Sequence, residues 1–250
     1  MGASMWMRVF LCAASLAFGA GVAHAAGGAY VADAADVGEV GNCKVESWVS
    51  FASNSDFLGV ANPSCIVDLG RPVELSTQVL RGRSDGEWNT LVAPKFKTNL
   101  IPTGIGKWGV ALEGGAIYDA NANDLAGFFV TMPATLRLSN VMRINVNAGW
   151  AWDRLADIHY ATYAAGIDWR TPDNVWTFTA EVFGLVGDGD TASAKQPRVQ
   201  LGMRWRPVDR FSMDVIYGRN ILGENANWIT VGTSIRFPAP DKPESASTWR

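Results

Sequence analysis

The sequence predicts an all-β protein, an antiparallel transmembrane β-barrel of about ten strands in an up-and-down meander, with twelve as the alternative count. Three observations lead there. Apolar and polar residues alternate with a period of two in segment after segment from Val73 to Phe237, the signature of strands with one greasy and one wet face. The chain carries 11 Trp in 250 residues, and those within the meander fall near strand ends, where a barrel places its aromatic belts. Beyond the first 25 residues, no run approaches the ~18 uninterrupted apolar residues that a helical span requires.

The stretch Met142 to Trp152 sets the pattern. Met142, Ile144, Val146, Ala148, Trp150 and Trp152 share one face, while Arg143, Asn145, Asn147, Gly149 and Ala151 share the other. A strand of this length suits a barrel wall, with its apolar face to lipid and its polar face to the lumen. In a soluble β-sandwich, the alternative reading, the apolar faces would form a shared core and most of the strand-end tryptophans would have to be buried.

In chain order, residues 1–25 read as a signal peptide: Arg8, an apolar run from Val9 to Val22, then Ala23-His24-Ala25 as the small-residue cleavage site. Phe10 and Leu11 before Cys12 speak against a lipoprotein anchor. Losing Arg8 lowers Lys plus Arg from 21 to 20 against 24 Asp plus Glu, and this mildly acidic balance points to no nucleic-acid partner. Residues 26–42 alternate small and acidic residues without a period and are expected to form a flexible leader. Cys43 and Cys65 are the only cysteines after the signal. In an oxidising compartment they are expected to pair and to restrain an N-terminal lobe at 43–66. The spacing lacks a Cys-x-x-Cys motif and a neighbouring His, which disfavours a redox or metal role. Whether Lys44 to Phe51 joins the barrel, plugs it or sits below it is left open by the sequence.

The barrel itself is expected over 67–237, followed by a Pro-rich, disordered polar tail at 238–250. Connections at 102–106, 139–140, 171–174 and 207–209 are short and are assigned to the periplasmic side. Those at 120–126, 154–158, 187–196 and 220–227 are assigned to the outside. Trp108, Trp169, Trp176 and Trp205 then fall at periplasmic strand ends and Trp88, Trp150 and Trp152 at external ends, forming two girdles. The opposite parity is expected to line the lumen with Lys95, Lys97, Glu113, Arg137, Arg143, Asp168, Arg170, Glu181, Arg204, Arg206 and Arg236. Two readings of that lining compete. One is a structural ion-pair network across a narrow interior; the other is a basic selectivity surface favouring small anions.

At the C-terminal strand, Thr230-Val-Gly232-Thr-Ser-Ile235-Arg-Phe237 resembles the assembly signal of outer-membrane barrels, with Gly232, Ile235 and Phe237 carrying the likeness. The resemblance implies recognition by the barrel-assembly machinery. The chain departs from that pattern by continuing for a polar tail after Phe237. More broadly, the meander is similar to small proteobacterial outer-membrane barrels of the phenol-degradation (MetA-pathway) channel type, a mostly uncharacterised family. This architectural likeness carries no catalytic residue over.

No enzymatic activity and no cofactor are expected. His159 is the one His beyond the signal, and no Ser lies beside it on the same parity to make a nucleophile–base pair. No His/Cys/carboxylate cluster has metal-ligand spacing, and Gly187-Asp188-Gly189-Asp190 lacks the downstream Glu of a calcium loop. The expectation is therefore a barrel in the outer membrane of a Gram-negative bacterium, in contact with its lipid, serving a structural role or as a narrow passive channel for small solutes. Surface interaction through the outer loops is the alternative, and a soluble secreted binding module the reading of the sandwich.

Overall fold

The computed structural model describes residues 29–187, 197–221 and 226–239. The expected signal peptide, much of the two last outer loops and nearly all of the expected tail lie outside the described residues. The first six strands are β1 (Cys43–Ala52), β2 (Phe57–Asp68), β3 (Pro72–Ser84), β4 (Glu87–Ile101), β5 (Trp108–Asp119) and β6 (Asp124–Arg137). The other six are β7 (Met142–Asp153), β8 (Ile158–Arg170), β9 (Trp176–Gly187), β10 (Arg198–Val208), β11 (Phe211–Asn220) and β12 (Asn227–Phe237). Each pairs antiparallel with its neighbours in sequence, and β1 closes on β12, with Cys43 opposite Phe237 and Ala52 opposite Trp228. No helix of the described residues is long and apolar enough to cross a membrane.

The strand count is twelve, because the segment 43–66, expected as a disulfide-restrained lobe whose relation to the barrel the sequence leaves open, supplies β1 and most of β2 of the wall. Two features hide β2 in the sequence. Its outward set is Gly59, Ala61, Pro63 and Cys65, too small and mixed to contrast with the inward Leu58, Val60, Asn62, Ser64 and Ile66. Pro63, which reads as a breaker, lacks the N–H a ladder needs, and the β2–β3 register accordingly passes from Ala61–Val79 to Ser64–Ser76. Cys43 and Cys65 stand directly opposite each other in the β1–β2 ladder and are disulfide-bonded.

Two rims follow from the meander. The terminal rim is where β1 begins and β12 ends; the loop rim is its opposite. Large apolar side chains such as Phe96, Val130, Val146, Ile167, Leu201 and Val231 stand exposed on the outer wall, while charged residues on the alternate parity are buried inside. This is the inverse of a soluble protein, and it removes the sandwich alternative. Trp108, Trp169, Trp176 and Trp205 ring the outer wall at the terminal rim, with Trp176 and Trp205 at 6.3 Å and Trp169 beside Phe178 at 5.6 Å. Trp88, Trp150 and Trp152 do so at the loop rim. His159 stacks there on Trp150 and Trp152 at 5.5 and 6.0 Å, which places its ring on the outer surface.

Twelve strands about 4.8 Å apart and tilted by about 40° make a wall roughly 24 Å across. Inward side chains reach about 5 Å from each side, so the wall alone leaves a central space wide enough for another length of chain. Residues 29–37, part of the 26–42 stretch expected as a flexible leader, occupy its charged half. Tyr30, Ala32, Asp33, Ala34 and Ala35 are buried, and the segment leaves at the terminal rim, where Gly41 N donates to Ile66 O and Ile66 N to Asn42 O. The alternation of small and acidic residues that suggested flexibility instead matches a narrow, charged cavity.

The inside-out wall makes a direct prediction. Val146→Arg, in the middle of the lipid-facing side of β7, should lower stability in vesicle refolding by about 2–4 kcal/mol; a change near zero would mean that this face does not meet hydrocarbon.

Candidate functional site

The barrel interior divides into two chemically distinct halves. Toward the loop rim, Trp48, Leu58, Val60, Leu80, Leu91, Ile117, Phe129, Tyr160 and Leu185 pack into one apolar cluster, with Ala29 against it. Toward the terminal rim the lining is charged. The alternation within each strand explains the split: β1 reads Lys44, Glu46, Trp48 inward, and β4 reads Lys97, Lys95, Ala93, Leu91 from the terminal rim upward.

All eleven residues expected in the lumen project inward, Arg206 being half-buried and Arg236 partly so. With Lys44 they give nine basic side chains on the charged wall: Lys44, Lys95, Lys97, Arg137, Arg143, Arg170, Arg204, Arg206 and Arg236. Six wall carboxylates face them, Glu46, Glu74, Glu113, Asp168, Glu181 and Asp214. Several pairs form within the wall. Arg204 holds Asp214 in a fork, Nε at 2.7 Å and the second guanidinium nitrogen at 3.0 Å. Arg143 Nε donates to Asp168 at 2.6 Å, and Asp168 also accepts from Asn145 at 3.1 Å and Thr179 at 2.7 Å. Lys95 lies 3.3 Å from Glu113, and Lys44 lies 3.3 Å from Glu46 and 3.2 Å from Glu74.

Two places depart from simple pairing. Arg137 and Arg143 are direct cross-strand partners on β6 and β7, a like-charge juxtaposition that is unfavourable unless an anion bridges it. Glu181 accepts from Gln200 at 2.6 Å, and its other strong contacts come from outside the wall.

The N-terminal segment completes both. Val31 N and Ala32 N donate to the Glu181 carboxylate at 2.9 and 3.1 Å. Asp36 accepts from Arg137 at 3.0 Å, from Arg143 at 3.5 Å and from the Thr103 hydroxyl. Burial acts to raise the Asp36 carboxyl, but the Thr103 hydrogen bond and the two guanidiniums outweigh it and hold the group below the usual carboxylate range. Asp33 meets Lys97 at 2.6 Å, and its carbonyl accepts from Asn147 at 3.2 Å. Ala35 N donates to Thr135 at 2.8 Å, while Asn99 donates to Ala35 O and accepts from Val37 N at 3.2 Å. The Tyr30 ring lies 5.3 Å from the Arg204 guanidinium, a cation–π distance.

Two glycines make this approach feasible. A Cβ at Gly166 would stand 3.0 Å from the Ala32 Cβ, and one at Gly202 would overlap the Tyr30 ring. These hydrogen bonds between 30–37 and the barrel go to wall side chains rather than into a strand ladder.

Sequence reasoning omitted Tyr30, Asp33, Asp36, Lys44 and Glu46 from the lining. The usable signal was the pair Asp33 and Asp36 in an Ala-rich stretch, set against a lumen parity with more Arg and Lys than carboxylates. In the last strand, Gly232 faces inward with its Cα partner Trp48, whereas Ile235 and Phe237 stand exposed on the outer wall. Among the described residues, no group of three His, Cys, Asp or Glu is placed to hold a metal ion.

A closed barrel with an apolar outside, aromatic girdles and a charged interior defines the class: an outer-membrane β-barrel fold. The chain belongs to the family of uncharacterised conserved protein UCP029691, whose model matches residues 14–237. A search of curated proteins by sequence finds no match. Among solved structures, the chain is similar to the KdgM porin in complex with disordered oligogalacturonate (TM-score 0.60, 8% identity, 78% of this chain and 99% of that one). It is also similar to the NanC porin (TM-score 0.60, 8% identity, 76% and 98%) and to the COG4313 outer membrane channel from Pseudomonas putida F1 (TM-score 0.55, 11% identity, 81% and 97%). At these identities the likeness shows the fold.

The buried Arg204–Asp214 fork gives a stability prediction. Asp214→Ala should cost about 3–5 kcal/mol, because it removes the carboxylate matched to a buried guanidinium. Urea-gradient refolding in detergent measures it, and a cost below about 1 kcal/mol would contradict a buried, closed pair.

Proposed function

We propose that the protein is a narrow passive channel for small solutes in the outer membrane of a Gram-negative bacterium, held shut by its own N-terminal segment in the state described here. The observation that carries this reading is the separate filler. A purely structural barrel would be expected to pack its interior with wall side chains, as eight-stranded barrels do. Here twelve strands enclose a wider space, and residues 29–37 occupy it through side-chain contacts that can be exchanged without breaking the wall. The neighbouring folds include porins and channels, which supports passage over catalysis, although the solutes named with those proteins are theirs alone.

In this reading the terminal rim faces the periplasm and the exposed apolar wall contacts membrane lipid between the two tryptophan girdles. The Gly232, Ile235 and Phe237 pattern of β12 serves the barrel-assembly machinery, whose strand-pairing role suits the last strand of a barrel that closes on its first.

The test is conductance of the full mature chain in planar bilayers. Ala32→Trp with Ala35→Trp places bulk at two fully buried positions of the segment while keeping its charges. The wild type is expected to be mostly silent, and this variant to show discrete steps. Asp33→Asn with Asp36→Asn, which loosens the segment without added bulk, should open it in part. If both variants fold, as judged by heat-modifiable migration on a denaturing gel, and both remain silent, the channel reading fails.

A further inference from the structure

From the contacts of Asp36 and Asp33 we infer that the N-terminal segment is a built-in competitor, and that the site it covers binds the carboxylate groups of small anionic solutes. The inference rests on the channel reading and names the solute class for the same lumen.

Three observations converge. The first is the Arg137–Arg143 pair. Two guanidinium-bearing residues face the lumen as direct cross-strand partners, and the carboxylate bridging them comes from the leader, with Arg137 at 3.0 Å and Arg143 at 3.5 Å from the two oxygens of Asp36. Thr103 adds a neutral donor to the same carboxylate. The wall itself neutralises Arg143 through Asp168 on β8 at 2.6 Å, while the inward neighbours on β6 and β7, Thr135 and Asn145, are uncharged and bond to each other at 2.8 Å, so the carboxylate shared by both guanidiniums is that of Asp36. Planar guanidiniums bind carboxylates strongly because both groups offer matched forks.

The second observation is the overall balance. The charged half of the wall has nine basic residues and six carboxylates, and Asp33 and Asp36 supply two of the missing negative charges. Moving the segment aside restores a net positive lumen of low dielectric, where a mobile anion is favoured over a cation. The third is the manner of attachment. Asp33 reaches Lys97 at 2.6 Å and Asp36 reaches the arginine pair, so the segment presents its carboxylates at successive levels of one basic path. Its backbone joins no strand. An anion arriving from solution makes the same exchange of partners that the leader made, one carboxylate for another, with no covalent step.

The geometry also sets the role of the wall. Lys97, Arg137 and Arg143 are the positions at which a permeant carboxylate replaces Asp33 and Asp36. Glu181 is the position that loses a partner when the segment leaves, since Val31 N and Ala32 N bond to it, and this favours the return of the segment once the anion has passed.

The experiment uses the Ala32→Trp/Ala35→Trp full chain in planar bilayers. Under a KCl gradient, the reversal potential should report preference for chloride, even though the displaced segment still carries its two aspartates. Succinate added to both sides should block the KCl current, and dimethyl succinate, its uncharged counterpart, should not. Arg137→Gln with Arg143→Gln in the same background should shift the half-blocking succinate concentration upward by about tenfold or more, as expected for loss of charge-assisted hydrogen bonds. Cation preference, equal effects of succinate and its diester, or a block indifferent to the two arginines would overturn the inference while leaving the channel reading intact. A folded variant without conductance would overturn both. If the tryptophan variant does not fold, Asp33→Asn with Asp36→Asn carries the same three readouts.

Discussion

The central constraint on this protein is the mismatch between the circumference of a twelve-stranded wall and the reach of its inward side chains. Closing β1 on β12 removes every sheet edge, but it also encloses more space than the lining can fill. Two materials take up that space. Apolar side chains meet in a cluster toward the loop rim, and residues 29–37 thread the charged half toward the terminal rim. The second filler must satisfy the charges it covers, and this accounts for the carboxylates at Asp33 and Asp36 and for the small alanines between and around them.

The same constraint explains the local choices in the wall. Gly166 and Gly202 stand where the segment passes closest, at Ala32 and Tyr30. Glu181 would otherwise be a buried carboxylate without a strong cationic partner in the wall, and two backbone N–H groups of the segment stabilise it. Arg137 faces Arg143 across the β6–β7 ladder; Asp168 pairs with Arg143 from β8, and Asp36 bridges the two guanidiniums from the lumen. Removing the segment therefore costs the barrel a set of charge-assisted bonds while leaving the ladders intact, which is the energetic profile of a removable part.

Much of the wall was legible in the sequence because barrel strands obey a two-residue period and a lipid-facing set must be apolar. Met142 to Trp152 shows this plainly: Arg143, Asn145 and Asn147 are inside, Val146 and Trp150 outside. The positions of the girdle tryptophans followed from the same parity. β2 was not legible, because Gly59, Ala61, Pro63 and Cys65 give its outer face no contrast and a Pro within a run normally marks a turn. The leader was harder still. Nothing in a stretch such as Ala32-Asp33-Ala34-Ala35-Asp36 has a period, and its placement depends on cavity width and on charges distributed over β4, β6 and β7, which come together only in the closed barrel.

The most direct test of the account is disulfide trapping of the segment inside the lumen. Ala32→Cys and Gly166→Cys place two thiols on facing backbones whose Cβ atoms would approach within about 3.0 Å, near the separation a disulfide spans after small adjustment. The account predicts that the folded double variant forms this cross-link alongside Cys43–Cys65, that neither single variant does, and that the trapped barrel is silent in bilayers. A folded double variant whose new thiols remain free to alkylation would contradict it, because the N-terminal segment would then lie outside the barrel.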